Sequence, residues 1–354
     1  MQLSSLQTRL GKLLKQSASA HVYRKEVIEL LRSVLSFDAA CCTSVDPLTL
    51  LSTGAMTEEG LESIHARLLQ FEFGNEDIND YNRLAASPHP IASLVLATEG
   101  KPEKSQRYLE VLEPGGFSDE LRAALICDSA CWGYLTLFRS TSHEPFTGDE
   151  LAIVAALSPV IAHGLRSFTL TLPAASEAAG SSDEPGIIIL SEDAKLVSWN
   201  HPAEGWLSLL REWENITEDY LPRPLLAISA KVGSGNEGNG KSARVTIRVP
   251  DGTYLTIRGS RLTDAKGGYG AAIVVEPAKP ADMLPLLSKA YGLSPRESDI
   301  AELVFRGAST KEIADTLFIS AYTVQDHLKS IFLKTNVHSR RELIWQLFTR
   351  FAAE

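Results

Sequence analysis

Long apolar runs are missing from this chain. No stretch approaches the roughly 18 uninterrupted apolar residues that a membrane-spanning helix needs. Arg9, Lys12 and Lys15 break up the leucines of the first turns, so neither a span nor a secretory leader is expected. Cysteine is scarce, with four in 354 residues: Cys41, Cys42, Cys127 and Cys131. They make no disulfide framework, and reduced thiols in a cytoplasmic protein are expected. Cys127 and Cys131 lie four apart, but no nearby His or Cys cluster supplies two further ligands, which argues against a metal site. No glycine run with the Walker A spacing occurs, which excludes that kind of nucleotide site. His89, Cys127 and His143 have neither the spacing nor the flanks of a thiol–histidine site, so no catalytic residue and no enzyme activity is expected. No cofactor is expected either.

Positive charge is also in short supply, at a net −10. The deficit is uneven. From Lys289 to Glu354 there are nine basic and eight acidic residues, a net of +1, which leaves −11 on the remainder. Between Ser320 and Arg341 the basic residues Lys329, Lys334, Arg340 and Arg341 face only Asp326. A local basic surface on an acidic protein suits one small nucleic-acid-binding module.

What the chain does have is apolar material, 44% of its residues, enough for two or three cores at roughly 150 residues per domain. Two stretches read as linkers: 169–184, centred on TLPAASEAAGSSDE, and 278–290, opened by AKPAD. They divide the chain into domains at 1–168, 185–277 and 291–354. Gly233–Ser242 reads as a surface loop, and no internal repeat is visible.

Leu3, Leu6, Leu10, Leu13 and Leu14 share one helical face, expected to pack on the next domain or on a second subunit. Helical spacing follows over Arg24–Ser36 and Glu58–Phe71. Strands are expected at Ala39–Val45, Thr49–Thr53, Leu121–Cys127 and Trp132–Arg139, the last two joined through Asp128-Ser129-Ala130-Cys131. Thr147 and Glu150 write a capping box for a helix running to about Phe168. This order resembles an α+β GAF domain. The second piece reads as strands Gly186–Leu190 and Lys195–Asn200, a helix over Pro202–Leu210, then strands Ala243–Val249, Thr253–Arg261 and Gly270–Glu276. It resembles an α+β PAS domain, with Gly233–Ser242 replacing part of the helical middle.

The last piece spells out four short helices. Ser294-Pro295-Arg296-Glu297, Ser309-Thr310-Lys311-Glu312 and Ser339-Arg340-Arg341-Glu342 are capping boxes, and Ser320 caps a further helix. Gly307 and Asn336 stand at the stops. Two short helices joined by Phe318-Ile319-Ser320 make a helix-turn-helix. The run from Leu293-Ser-Pro-Arg-Glu297 through Gly307-Ala-Ser-Thr-Lys-Glu-Ile-Ala314, Ile319-Ser-Ala-Tyr-Thr-Val324 and Val337-His-Ser-Arg340 closely resembles the LuxR-type DNA-binding domain.

The resemblance implies an all-α four-helix fold with double-stranded DNA as partner. It places Gln325, Asp326 and Lys329 toward base edges, and Thr310, Lys311, Thr323 and Lys334 on the phosphate backbone. It also gives Leu343 to Phe348 as a homodimer surface. Asp326 is a departure, since a carboxylate opposes phosphate and can accept only from a cytosine amino group. The preceding domains then read as sensors, because a phosphorylated receiver and an acyl-homoserine-lactone signature are both missing. A small-molecule effector would meet Tyr81, His89, Cys127, Trp132 and Tyr134 in the first domain. The alternative is a dimeric regulator whose GAF-like and PAS-like domains are structural and bind no ligand.

Overall fold

The computed structural model describes residues 3–58, 60–61, 64, 67–68, 70–72, 78–170, 184–234, 243–249, 253–263 and 269–348. Most of the linker before residue 184, the glycine-rich loop at 235–242, the turns at 250–252 and 264–268, and part of the expected 58–71 helix lie outside them.

The first unit opens with α1 (Leu3–Gln16) and α2 (Ala20–Arg32). Leu6 and Leu10 of α1 are buried, while Leu3 is exposed. The leucine face packs within its own unit, on the long helix α5 (Gly148–Leu170), and Gln7 Nε2 donates to Ala156 O across that contact at 3.0 Å. These helices pack together on one face of a five-stranded antiparallel sheet: β1 (Ala39–Val45), β2 (Ser52–Thr57), β3 (Ile91–Ser93), β4 (Phe117–Cys127) and β5 (Ala130–Ser140), in the order β2-β1-β5-β4-β3. Short helices α3 (Tyr81–Ala86) and α4 (Leu94–Ala97) flank β3.

The β4–β5 turn is two residues tighter than the sequence suggests. Cys127 pairs with Ala130, and Asp128 and Ser129 both take positive φ, the geometry of a type I′ hairpin. β2 starts at Ser52 rather than Thr49, because Asp46 Oδ1 accepts from Leu48 N at 2.9 Å and bends the chain there.

The second unit repeats the strand order, a duplication the sequence does not show. β6 (Gly186–Ser191), β7 (Leu196–Trp199), β8 (Ala243–Arg248), β9 (Tyr254–Thr263) and β10 (Tyr269–Pro277) run β7-β6-β10-β9-β8, again antiparallel. Asn200 caps α6 (His201–Glu214). A helix absent from the sequence reading, α7 (Arg223–Gly233), buries Leu225, Ala227, Ile228 and Val232 on this sheet, so the helical middle is present.

Residues 278–290, expected as linker, are instead α8 (Pro280–Ala290). Met283, Leu284, Leu286 and Leu287 are buried against α5 and β8, each contributing about 1.5–3 kcal/mol of burial. Asp282 pairs with Arg244 at 2.7 Å and Arg258 at 3.3 Å, tying α8 to the second sheet. Arg166 of α5 donates from Nε to Ala290 O at 2.6 Å. Four helices follow: α9 (Pro295–Phe305), α10 (Thr310–Leu317), α11 (Ala321–Thr335) and α12 (Arg340–Phe348).

Candidate nucleic-acid interface

The last four helices are held by the caps their sequence writes. Ser294 Oγ accepts from Glu297 N and Glu297 Oε2 from Ser294 N at 2.7 Å. Ser309 and Glu312 repeat the exchange at 3.3 and 2.6 Å. Ser320 Oγ accepts from Thr323 N at 3.0 Å. At the fourth helix the box is altered: Ser339 still caps Glu342 N, but the Glu342 carboxylate accepts from His338 N. Each cap is worth about 1 kcal/mol. Gly307 and Asn336 take the left-handed conformation that stops a helix, and so does Phe318. Inward run Ile300 and Val304, Ile313 and Ala314, and Val324, Leu328 and Ile331, all buried.

One polar tie fixes α11 against α9. Glu297 is 4% exposed and accepts from Ser330 Oγ and Lys334 Nζ, both at 2.6 Å. Lys334 also donates to Gly292 O at 3.1 Å. Burial alone would raise the Glu297 pKa, but Lys334, Ser330 and the Ser294 amide hold it down to about 2, from an ordinary 4.5. A carboxylate depressed on folding contributes stability above its unfolded pKa and loses it as pH falls through the folded one. Acidification from about 4.5 to about 2 should therefore loosen this domain. Glu297→Gln should be less stable at neutral pH and lose less over that window, as followed by circular dichroism. Equal acid sensitivity in both proteins would refute the tie. The sequence reading gave Lys334 to phosphate, and the geometry adds a structural role that sequence spacing could not reveal. Two arginines act likewise: Arg296 donates to Leu317 O at 2.5 Å and Arg340 to Ala308 O at 3.0 Å.

The opposite side of α11 is open. Gln325, Asp326 and Lys329 are all exposed and, at i, i+1 and i+4, share one face. Lys329 Nζ donates to Asp326 Oδ1 at 3.0 Å, so the unexpected acid is neutralised by its neighbour; this hydrogen bond, then the charge of Asp326, raises the Lys329 pKa. Thr310 and Lys311 open α10, Lys311 exposed and Thr310 half-buried. Thr323 sits in the first turn of α11 with its hydroxyl 2.8 Å from Ser320 Oγ. Phe318 and Tyr322, 94% and 72% exposed, stand beside this surface. Sequence reasoning passed over both; the available signal was that they fall off the inward stripe of Val324, Leu328 and Ile331. In α12 Leu343 is buried and Trp345 is 65% exposed, while the side chains of 346–348 lie outside the description.

The five effector-pocket candidates do not form one site. Tyr81 and Tyr134 stack with centroids 3.9 Å apart, and Tyr81 OH meets Thr136 Oγ1 at 2.6 Å. His89 is exposed on the loop before β3. Cys127 lies at the hairpin end near the Arg166 guanidinium, and Trp132 lines a separate cavity between the two sheet units. The alternation of β5 does not carry Trp132 to the Tyr134 site, because the pairing steps from Leu125–Gly133 to Ile126–Cys131, a bulge at Trp132 that turns its side chain to the opposite face of the sheet, where its Nε1 donates to Cys127 O. Only about 60 Å³ is open beside Tyr81 and Tyr134, against the 300–1,000 Å³ of ordinary ligand pockets. A buried ion network fills the rest: Glu120 with Arg107 at 2.8 Å and Arg122 at 2.9 Å, and Arg122 with Glu72 at 2.9 Å.

A helix-turn-helix with one uncovered helix face is a major-groove-binding module. Residues 292–346 match the GerE family, described as bacterial regulatory proteins of the luxR family, and this part of the chain is a LuxR-type helix-turn-helix domain. Over 52 residues the chain is 44% identical to an HTH-type transcriptional regulator of Mycobacterium tuberculosis, covering 15% of this chain and 6% of that protein. It is 44% identical over 52 residues to the oxygen regulatory protein NreC of Staphylococcus carnosus, 15% of this chain and 24% of that one. It is 42% identical over 65 residues to the transcriptional regulatory protein DesR of Bacillus subtilis, 18% of this chain and 33% of that one. These matches span a third or less of the relatives' own lengths. Among solved structures, a VqmA–ligand–DNA complex from Vibrio cholerae aligns at 21% identity over 48% of this chain and 83% of that one, with a TM-score of 0.22, too low to carry a comparison of fold.

Proposed function

We propose that the chain is a sequence-specific DNA-binding transcriptional regulator, cytoplasmic and homodimeric, controlled by a signal sensed in its first two units. The observation that carries this reading is the uncovered face of α11 on a LuxR-type domain. In it Gln325 and Lys329 read base edges in the major groove, Gln325 being able to make a bidentate pair with adenine. Asp326 orients Lys329 in the free protein and accepts from a cytosine amino group in the complex. Thr310, Lys311 and Thr323 hold the backbone, joined by whichever Lys334 donor is not spent on Glu297 and Gly292.

The first unit is GAF-like and the second PAS-like, each an antiparallel sheet flanked by helices, which supports a sensory reading. Helix α8, packed on α5, on the second sheet and on α9, offers a rigid route from those units to the DNA-binding helices. Trp345, exposed on α12, belongs to the dimer surface. Selection of bound duplexes from a random pool by the full chain should return one motif with two-fold symmetry, and sedimentation should give two chains per duplex. An unsymmetrical motif bound by one chain would overturn the dimer, and no enriched motif at all would overturn the reading.

A further inference from the structure

The largest opening among those described lies between the two sheet units, away from Tyr81 and Tyr134. Its volume is about 630 Å³, within the range of small-molecule sites. The first unit supplies Ser19, Arg24, Asp46 and Trp132, the second supplies Trp213, and α8 supplies Leu286.

Arg24 is the feature that asks for a ligand. It is 1% exposed. Its Nη1 donates to Ser44 Oγ at 2.8 Å, while Nε and Nη2 have no partner among the described residues. Burying a guanidinium with unpaired N–H groups costs several kcal/mol, and arginine cannot escape by losing its proton. Nε and Nη2 form one edge of the guanidinium plane, the fork that takes the two oxygens of an oxyanion side-on.

The nearby carboxylates are already committed. Asp46 accepts from Leu48 N at 2.9 Å and Thr246 N at 3.3 Å. Glu214 accepts from Ala55 N at 3.2 Å and Arg223 N at 2.7 Å. A second feature favours negative charge in the same place. The cavity wall includes Ser19 and Ala20, the N-terminus of the 13-residue helix α2, where first-turn N–H groups and the helix dipole both attract anions. Trp132 and Trp213 add apolar aromatic surface.

We infer that this inter-unit cavity binds a small molecule carrying an oxyanion, a carboxylate or a phosphate, on an apolar body, with Arg24 gripping the anion side-on. The ligand would touch both units and, through Leu286, the helix that leads into the DNA-binding domain. Its role as effector rests on the function proposed above; its binding does not.

The experiment titrates the full chain with indole-3-acetate, phenyl phosphate, inorganic phosphate and neutral indole-3-acetamide, followed by calorimetry. One anionic aryl compound should saturate at one per chain, with the amide at least tenfold weaker. Preference for indole-3-acetate identifies a carboxylate ligand, and preference for phenyl phosphate or inorganic phosphate identifies a phosphate one. Arg24→Gln should weaken binding at least tenfold. Thr53→Trp, which fills the cavity and leaves Arg24 in place, should do the same, and it decides the matter if Arg24→Gln does not fold. No saturation by any anion up to millimolar concentration, or unchanged affinity in a folded Thr53→Trp protein, would overturn the site. Affinity for the selected duplex is measured on the same samples without ligand. Duplex binding without anion binding sinks this inference alone, and anion binding without duplex binding sinks the proposed function alone.

Discussion

Glu120→Gln should destabilise the first unit by on the order of 3–5 kcal/mol, the usual cost of breaking a buried ion network from one side. The carboxylate is 1% exposed between Arg107 and Arg122, both themselves buried. Removing its charge takes one carboxylate from between two buried guanidiniums, with Glu72 still 2.9 Å from Arg122. Burial opposes the charge of Glu120, but the two arginines overcome it and hold its pKa below the ordinary value. Arg122 also lies over the Tyr81 ring, 4.6 Å from its centroid, so the loss would spread to the Tyr81–Tyr134 stack. For a unit of this size the unfolding midpoint should fall by roughly 10 °C. Replacing Glu72, Glu120, Arg107 and Arg122 together with apolar residues should recover part of it, because none of these four charges is then left unpaired. An unchanged midpoint in Glu120→Gln would show that the network contributes nothing.

The second large effect is expected on DNA. Lys329→Ala should cost about 1–3 kcal/mol on the selected duplex and relax preference at one position, whereas Lys311→Ala should weaken all duplexes alike. Lys329 sits on the open face of α11 and is held by Asp326 across one turn. Removing the lysine also leaves Asp326 facing the groove uncompensated, so Lys329→Ala should lose more than Asp326→Ala. The pair of variants, read by fluorescence anisotropy against several duplexes, separates base reading from phosphate holding. Uniform weakening by Lys329→Ala with relaxed preference in Lys311→Ala would reverse the two roles.

These contrasts show which parts of the molecule the sequence could disclose. The DNA-binding helices were legible because their signals are local. A Ser-x-x-Glu box, a glycine or asparagine stop and a 3.6-residue stripe need no knowledge of the rest of the fold, and Ser294, Ser309 and Ser320 cap where they were expected to. The strands were legible to within a few residues, as the β4–β5 hairpin shows. Helix α8 was hidden by its opening Ala-Lys-Pro-Ala-Asp, which reads as linker. Yet Pro280 is a favourable first helical residue, and Met283, Leu284, Leu286 and Leu287 repeat at helical spacing. The cut at 278–290 therefore falls through packed structure, and a fragment begun at 283 would expose those side chains. The cavity between the two sheet units was illegible for a different reason. Arg24, Trp132, Trp213 and Leu286 come from four distant stretches, and no spacing in the chain brings them together. Tyr81 and Tyr134 stack on one another, but the ions packed around them leave little open space there.

DNA binding by α11, as proposed, is tested by the affinity of the full protein for its selected duplex as a function of salt, beside a shuffled duplex of the same composition. The logarithm of the affinity should fall linearly and steeply with the logarithm of salt concentration for both duplexes, from displacement of counterions at phosphates. At physiological salt the selected sequence should be favoured by about 10³ or more. Affinity indifferent to salt, or equal for the two duplexes, would rule out sequence-specific DNA binding by this domain.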